Sequence, residues 1–262
     1  MTRIGFLAFL AALIAAGAAS AQEGLPAEDD QAHYEACMAL AETNPAAALT
    51  AAQDWIAAQG GAPAAHCRAV ALIGLGRPAE AGGELEQLAE GYGPGQESLR
   101  VALLSQAGQA WFLAGELDRA ERVQTVALSL APKDVDLLVD RSLTLAAGTR
   151  YWEAVDDLNE ANSLAPGRAD VLVYRASAYR FLEAYELAMA DLRAALAITP
   201  NDPVALLERG NVYGRTGQDE LALDEWARVV TLAPDSEAAR AARANLLRLE
   251  NGPAAIGDSE TE

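Results

Sequence analysis

The chain has 262 residues, a formal net charge of −19 and a hydrophobic content of 52%. That hydrophobic content is enough to build a packed core, so a globally disordered chain is excluded. A surface with this excess of negative charge repels phosphate, which argues against binding to nucleic acid or to anionic membranes. Alanine is abundant and aromatic residues make up only 6% of the chain, a bias that favours helices over sheets.

Residues 1–21 have the pattern of a secretory signal peptide. Arg3 is the only charged residue before Glu23, residues 4–13 are apolar, and the small residues before Gln22 predict cleavage there. A membrane anchor is the alternative, and the tapering small-residue end argues against it. No later stretch is apolar and long enough to span a bilayer. We therefore expect a periplasmic or secreted protein with no membrane span after cleavage.

Residues 22–100 contain two irregular helix pairs, followed by a glycine-rich segment at 91–95. Apolar residues recur in them at helical spacing. The predicted helices span residues 30–43, 45–59, 64–75 and 78–91.

Residues 101–236 carry a regular internal repeat with a period of 34 residues. Each unit ends in a proline, and these prolines are Pro132, Pro166, Pro200 and Pro234. A leucine column contains Leu104, Leu138, Leu172 and Leu206, and a small-residue column contains Ala120, Ala154, Ala188 and Ala222. Another column, aromatic in three units, contains Trp111, Leu145, Tyr179 and Tyr213. The spacing predicts two helices per unit.

Local signals mark the ends of these helices. Asp134 and Asp202 stand where an N-cap belongs, and Pro203 suits a first helical turn. The break between the two helices of each unit falls at Gly115, Thr149, Glu183 and Gly217. Residues 237–250 are predicted to form a capping helix, and the acidic tail at 251–262 is predicted to be disordered.

The period, the small residue in the second helix, the aromatic residue late in the first helix and the final proline resemble the tetratricopeptide repeat. The third unit shows the pattern best, with Tyr179, Ala188, Leu192 and Pro200 in place. Gln124 departs from it, because an apolar residue is usual there. The resemblance implies an all-α, right-handed superhelical solenoid of antiparallel helix pairs with a C-terminal capping helix.

Two charged columns change together from unit to unit. Their members, sixteen residues apart, are Arg68 with Glu84, Arg141 with Asp157, Arg175 with Asp191, and Arg209 with Glu225. In the remaining unit both places are apolar, with Ala107 and Val123. The shared change predicts ion pairs between the two helices of a unit, in preference to an arginine ladder offered to a ligand.

The two cysteines, Cys37 and Cys67, lie on the first helices of neighbouring irregular pairs. Those helices are adjacent in a stack, and export would place them in an oxidising compartment, so a disulfide is predicted. A metal-handling or redox role is the alternative, because His33 and His66 lie beside the cysteines. Their spacing matches no standard zinc motif.

The sequence contains no glycine-rich phosphate loop, zinc-hydrolase helix motif or nucleophile elbow. We therefore expect neither an enzyme nor a cofactor.

The resemblance implies that the first helices line a concave groove that binds a peptide or protein segment. The residues predicted there by phase are Phe112, Leu113, Leu143, Val173, Ser177, Arg180, Phe181, Leu207, Asn211 and Arg215. Chaperone-binding members of the family hold a C-terminal carboxylate with lysine and asparagine side chains. Asn211 fits that pattern, but Val173 and Leu207 stand where the lysine is expected, which argues against a co-chaperone. A non-catalytic scaffold with a protein partner in the cell envelope is therefore expected.

Overall fold

The computed structural model describes residues 28–250. The predicted signal peptide and acidic tail lie outside the described residues. Within 28–250 the chain forms helices and no strand. The helices are α1 Glu28–Thr43, α2 Pro45–Ala57, α3 Gly61–Gly74, α4 Pro78–Glu90, α5 Glu97–Leu113, α6 Leu117–Leu130, α7 Val135–Ala147, α8 Tyr151–Leu164, α9 Ala169–Phe181, α10 Tyr185–Ile198, α11 Pro203–Arg215, α12 Asp219–Leu232 and α13 Glu237–Glu250. None of them combines the length and apolar character needed to cross a bilayer.

The chain divides into two compact units, Met1–Gly148 and Thr149–Glu262. The described part of the first unit contains α1–α7, and that of the second contains α8–α13. Within each unit consecutive helices pack together, and neighbouring odd-numbered helices such as α5 with α7 and α9 with α11 also touch. We call the odd-numbered helices the first helices and the even-numbered ones the second helices. The predicted all-α fold of packed helix pairs is confirmed.

Side-chain caps and left-handed residues set the helix boundaries. The Asp134 carboxylate accepts hydrogen bonds from the backbone N–H groups of residues 136 and 137 at the start of α7. Asp202 does the same for α11, with both N···O distances at 2.8 Å. Each bond satisfies an N–H that has no partner within the helix. After the first helix of each regular pair, Gly115, Thr149, Glu183 and Gly217 all have positive φ, a backbone conformation that ends a helix.

The cores of both units are built from the repeated small and branched residues. The alanine column at 120, 154, 188 and 222 has no exposed surface. An alanine there allows two helices to approach closely, and leucines such as Leu158 and Leu192 fill the space between them. In the second unit, α13 adds Ala239 and Ala242 to this core and so covers the apolar sides of α11 and α12.

Three of the four predicted Arg–carboxylate pairs form. The Arg175 guanidinium donates to both oxygens of Asp191, at 2.8 and 2.7 Å. The N···O distance is 2.8 Å for Arg68 and Glu84 and 2.5 Å for Arg209 and Glu225. In the repeat that lacks both charges, Ala107 and Val123 are buried. Arg141 and Asp157 belong to different compact units of the fold, and their pairing stays a prediction.

Cys37 and Cys67 form the predicted disulfide, which joins α1 to α3 with a Cα–Cα distance of 6.1 Å. Both residues are buried, and Ala52 of α2 packs against them. The bond therefore ties together the helices of the least regular part of the repeat sequence.

Candidate functional site

The residues predicted to bind a partner all lie on first helices. In the first unit, Phe112 and Leu113 end α5, and Leu143 lies on α7. Leu113 is 47% exposed, whereas Phe112 and Leu143 are half-buried. In each unit, we call the side of the first helices that carries the predicted binding residues the first-helix face of that unit.

Two of the seven predicted residues in the second unit offer little surface. Val173 and Leu207 are only 4% and 9% exposed, because both pack into the core between the helices. Ser177 and Asn211 are half-buried, and Arg215 is exposed within 3.4 Å of Glu183.

Phe181 is the most exposed apolar residue of the predicted set, at 52%. Its ring stacks on Tyr151, with the ring centroids 4.7 Å apart and the planes within 3° of parallel. The guanidinium carbon of Arg180 lies 4.2 Å from the same ring centroid. Arg180 in turn forms an ion pair with Glu208, with 2.7 Å between Arg180 Nε and Glu208 Oε2. These contacts restrain Phe181 while leaving about half of its surface open.

A hydrogen-bonded row connects the first helices of the second unit. The Asn211 side-chain oxygen accepts from Trp226 Nε1 at 3.2 Å and from Asn245 Nδ2 at 2.8 Å. Its amide nitrogen donates to Glu208 at 3.4 Å. Gly210 leaves room for the Trp226 ring, since a Cβ there would lie 2.6 Å from the indole nitrogen. Asn211 is therefore engaged inside the protein and is not a free clamp residue.

A second polar row connects the first helices of the first unit. The Tyr34 hydroxyl and His66 Nδ1 are 2.9 Å apart, and His66 Nε2 lies 2.7 Å from the Gln106 side-chain oxygen. A neutral ring with the proton on Nε2 satisfies both contacts, since Nε2 then donates to Gln106 and Nδ1 accepts from Tyr34. Burial lowers the pKa of His66. The row thus joins α1, α3 and α5.

The same row continues from α5 to α7 through Gln109 and Asp140. Gln109 Nε2 donates to Asp140 Oδ2 at 2.7 Å. Burial raises the pKa of Asp140 from its usual 3.8 to about 6, the Gln109 hydrogen bond opposes this rise, and Asp136 and Asp134 add to it. Sequence reasoning missed this carboxylate. The column that contains Gln106, Asp140 and Glu208 could have revealed it, because polar residues recur there at the repeat period.

The geometry gives no support to a metal or redox site around the cysteines. Both sulfur atoms are bonded to each other in a buried disulfide. Both ring nitrogens of His66 have partners within the protein. The His33 ring lies 5.8 Å from that of Trp55. No group of three or more candidate metal ligands occurs within residues 28–250.

The fold and the first-helix face define a helical-repeat protein built from two-helix units. Comparison with protein-family models matches residues 176–217 to the TPR repeat. Together with the 34-residue period and the packed helix pairs, this match shows that the chain contains a TPR repeat and has a tetratricopeptide-repeat fold.

Solved structures show the same fold at low sequence identity. The structure of MamA from residue 41 to its end, from Desulfovibrio magneticus RS-1, has a TM-score of 0.56 and 21% identity, covering 67% of this chain and 97% of that one. The thermophilic TPR protein TTC0263 from Thermus thermophilus has a TM-score of 0.57 and 20% identity, covering 69% of this chain and 96% of that protein. The C-terminal part of a TPR repeat-containing protein from Cytophaga hutchinsonii has a TM-score of 0.60 and 15% identity, covering 77% and 79%. A search of curated protein sequences gives no match.

Proposed function

We propose that this chain is a non-catalytic scaffold that binds a peptide or protein segment on its first-helix face. The tetratricopeptide fold implies protein partners. The observation that carries the proposal is the open, restrained ring of Phe181. An exposed aromatic side chain whose orientation is already fixed loses little entropy when a partner covers it, and such residues are common interface anchors.

Leu113 supports the same surface in the first unit. It lies two repeat periods before Phe181, and the two residues are similarly exposed, at 47% and 52%. These two equivalent positions of the repeat thus present apolar side chains on first helices. A partner with apolar anchors gains free energy by covering them.

The partner's anchor in the second unit is apolar and not a carboxylate. The only arginine beside Phe181 on α9 is Arg180, whose side chain is 15% exposed and already bound by Glu208. A ligand carboxylate would have to displace Glu208 and leave that acid without its cation, which is costly.

The test is a binding comparison in an extract of the cell envelope. Phe181→Ala should lose the co-purifying partner, and Leu113→Ala should weaken its binding. Leu187→Ala is the matched control, since Leu187 is 51% exposed but lies on the second helix α10. Retention of the partner by Phe181→Ala, or its loss in Leu187→Ala alone, would contradict the proposal.

We also propose that the protein is exported to the periplasm or secreted. The signal-peptide pattern of residues 1–21 and the disulfide support this location, because disulfides persist in oxidising compartments. Mass spectrometry of the native protein should find an N-terminus at Gln22 and no free thiol. A chain that retains residues 1–21 or carries two thiols would contradict export.

A further inference from the structure

Asp140 is a carboxylate on the first-helix face whose charge has no cationic partner within the described part of the first unit. Gln109 Nε2 donates a hydrogen bond to Asp140 Oδ2 at 2.7 Å. This is the side-chain hydrogen bond that the carboxylate makes within residues 28–148. Two acids, Asp136 on the same helix and Asp134 at its N-cap, raise the pKa of Asp140 further. A half-buried carboxylate in this position costs free energy unless a cation approaches it.

The arginines of α6 and α7 have other partners. On α6, Arg119 lies over the Trp111 ring at 4.5 Å, and Arg122 is 3.9 Å from Glu86. On α7, Arg141 donates to Thr125. None of these side chains is directed to the Asp140 carboxylate.

Comparison with the equivalent positions of the second unit shows which charged residue Asp140 lacks. Glu208 stands two periods after Asp140, and the residue that neutralises it, Arg180, precedes it by 28 residues. The residue that precedes Asp140 by 28 is Phe112. The second unit therefore has a complete ion pair at this place, whereas the first unit has an acid and an aromatic ring at the two equivalent positions.

An acid and an aromatic ring at the two positions that Glu208 and Arg180 occupy in the second unit suit a basic side chain. The carboxylate can accept charge-assisted hydrogen bonds from an ammonium or guanidinium group, and the ring face attracts the same cation. Leu143 follows Asp140 by one helical turn and extends the apolar surface, so the stem of a lysine or arginine can pack there.

We propose that the bound segment places a lysine or arginine on Asp140, where it takes the role that Arg180 has beside Glu208. This inference rests on the proposed function, because it names one side chain of the segment held on the first-helix face. The partner is therefore a basic and apolar segment. That chemistry also fits the protein's net charge of −19, which attracts cationic chains from a distance.

The test uses a random dodecapeptide library displayed on phage and the purified full chain without residues 1–21. Peptides selected on the wild type should contain a lysine or arginine near apolar residues. Asp140→Asn should weaken the selected peptides about tenfold or more, and the affinity of the wild type should fall with added salt. Asp118→Asn, which removes the same charge from an exposed position on the second helix α6, should leave affinity within about twofold.

Phe112→Arg provides an independent test, because it supplies the missing cation from within the chain. It should weaken the selected peptides as much as Asp140→Asn does. In peptide-free protein it should also lower the Asp140 carboxyl pKa measured by carbon-detected NMR. Circular dichroism and thermal melting would establish that each variant is folded.

The outcomes separate this inference from the proposed function. Selected peptides whose binding depends on Leu113 but which carry no basic residue, or whose binding is unchanged by both Asp140→Asn and Phe112→Arg, would overturn the Asp140 site and leave the proposed binding on the first helices intact. Selected peptides whose binding is unchanged by Leu113→Ala would contradict the first-helix face of this unit. A library that yields no binder to the wild type would contradict both.

Discussion

At the scale of single residues, the turn between the two helices of a repeat requires a left-handed backbone, whether or not glycine is present. Gly115 and Gly217 meet this requirement without strain, whereas Thr149 and Glu183 adopt φ values of 62° and 60°. A side chain at such a φ costs roughly 1–2 kcal/mol. The repeat therefore contains strained positions and their unstrained equivalents in one chain.

Glu183→Gly should increase the free energy of unfolding by about 0.5–1 kcal/mol. Relief of the strain exceeds the added entropy of the unfolded chain, and the exposed contact with Arg215 contributes little. Gly217→Ala should decrease the free energy of unfolding by about 1 kcal/mol for the opposite reason. Urea denaturation measures both, and a loss of stability in Glu183→Gly would show that the turn is not strained.

Asp140→Asn should stabilise the protein in a pH-dependent way. The folded protein holds the Asp140 proton with a pKa of about 6, against 3.8 for the group when unperturbed. Wild-type stability therefore falls as pH rises from about 4 to 6, because ionisation is disfavoured in the folded state. The asparagine cannot ionise, so its advantage should be small at pH 4 and reach roughly 1–3 kcal/mol above pH 7. Thermal unfolding of both proteins across this pH range tests the prediction. A stability difference between Asp140→Asn and the wild type that does not change with pH would refute it.

At the scale of helices, comparison of the repeats identifies positions where the residue of one repeat differs in character from its equivalents in the others. Gln124 of α6 occupies the column filled by Leu158 and Leu192, and all three are at most 1% exposed. The Gln124 side-chain oxygen has no hydrogen-bond partner within the described residues. Gly108 gives this longer side chain room, since a Cβ there would lie 2.7 Å from Gln124 Cγ.

Gln124→Leu should increase the free energy of unfolding by about 1–2 kcal/mol, because it removes a buried polar atom that lacks a partner. The reverse change in the second unit, Leu192→Gln, should decrease it by about 2–4 kcal/mol. Chemical denaturation of the two variants tests the column. Destabilisation by Gln124→Leu would mean that the amide makes a contact essential to α6.

The Arg–carboxylate pairs join the two helices of a repeat. Asp191→Ala should lower stability by about 2–3 kcal/mol, since it leaves the half-buried Arg175 without its bidentate partner. The double variant with Arg175→Ala should lose less, because no lone charge remains. Glu84→Ala is a milder control, as Arg68 and Glu84 are 32% and 26% exposed. Equal melting losses in the single and double variants would exclude an energetic coupling.

At the scale of the whole molecule, the disulfide stabilises the irregular helix pairs that precede the regular repeats. It closes a loop with a sequence separation of 30 residues, which corresponds to roughly 3–4 kcal/mol of loop entropy. In repeat proteins each helix pair depends chiefly on its neighbours, so loss of the bond should have a local effect.

Replacing both cysteines by serine should accelerate hydrogen exchange in α1–α4 and leave α9–α13 unchanged. Reduction of the wild type should have the same result, whereas reductant should not affect the double-serine variant. Exchange measured by mass spectrometry resolves these segments. Uniform acceleration along the chain would indicate that the two units unfold together.

The sequence by itself determined the helix pairs, the capping aspartates, three interhelical ion pairs and the partners in the disulfide. Each of these depends on spacing along the chain or on comparison of equivalent repeat positions. A period of 34 residues assigns every side chain to a face of its helix.

Only the tertiary structure decided which side chains on that face remain available. Val173 and Leu207 have the right phase but are buried, because neighbouring helices pack close to them. Arg180 and Asn211 have the right chemistry, but both are engaged by Glu208. Asp140 became visible through its contact with Gln109. Helical phase gives a direction, whereas burial and charge pairing depend on the volume and chemistry of residues brought together from distant parts of the chain.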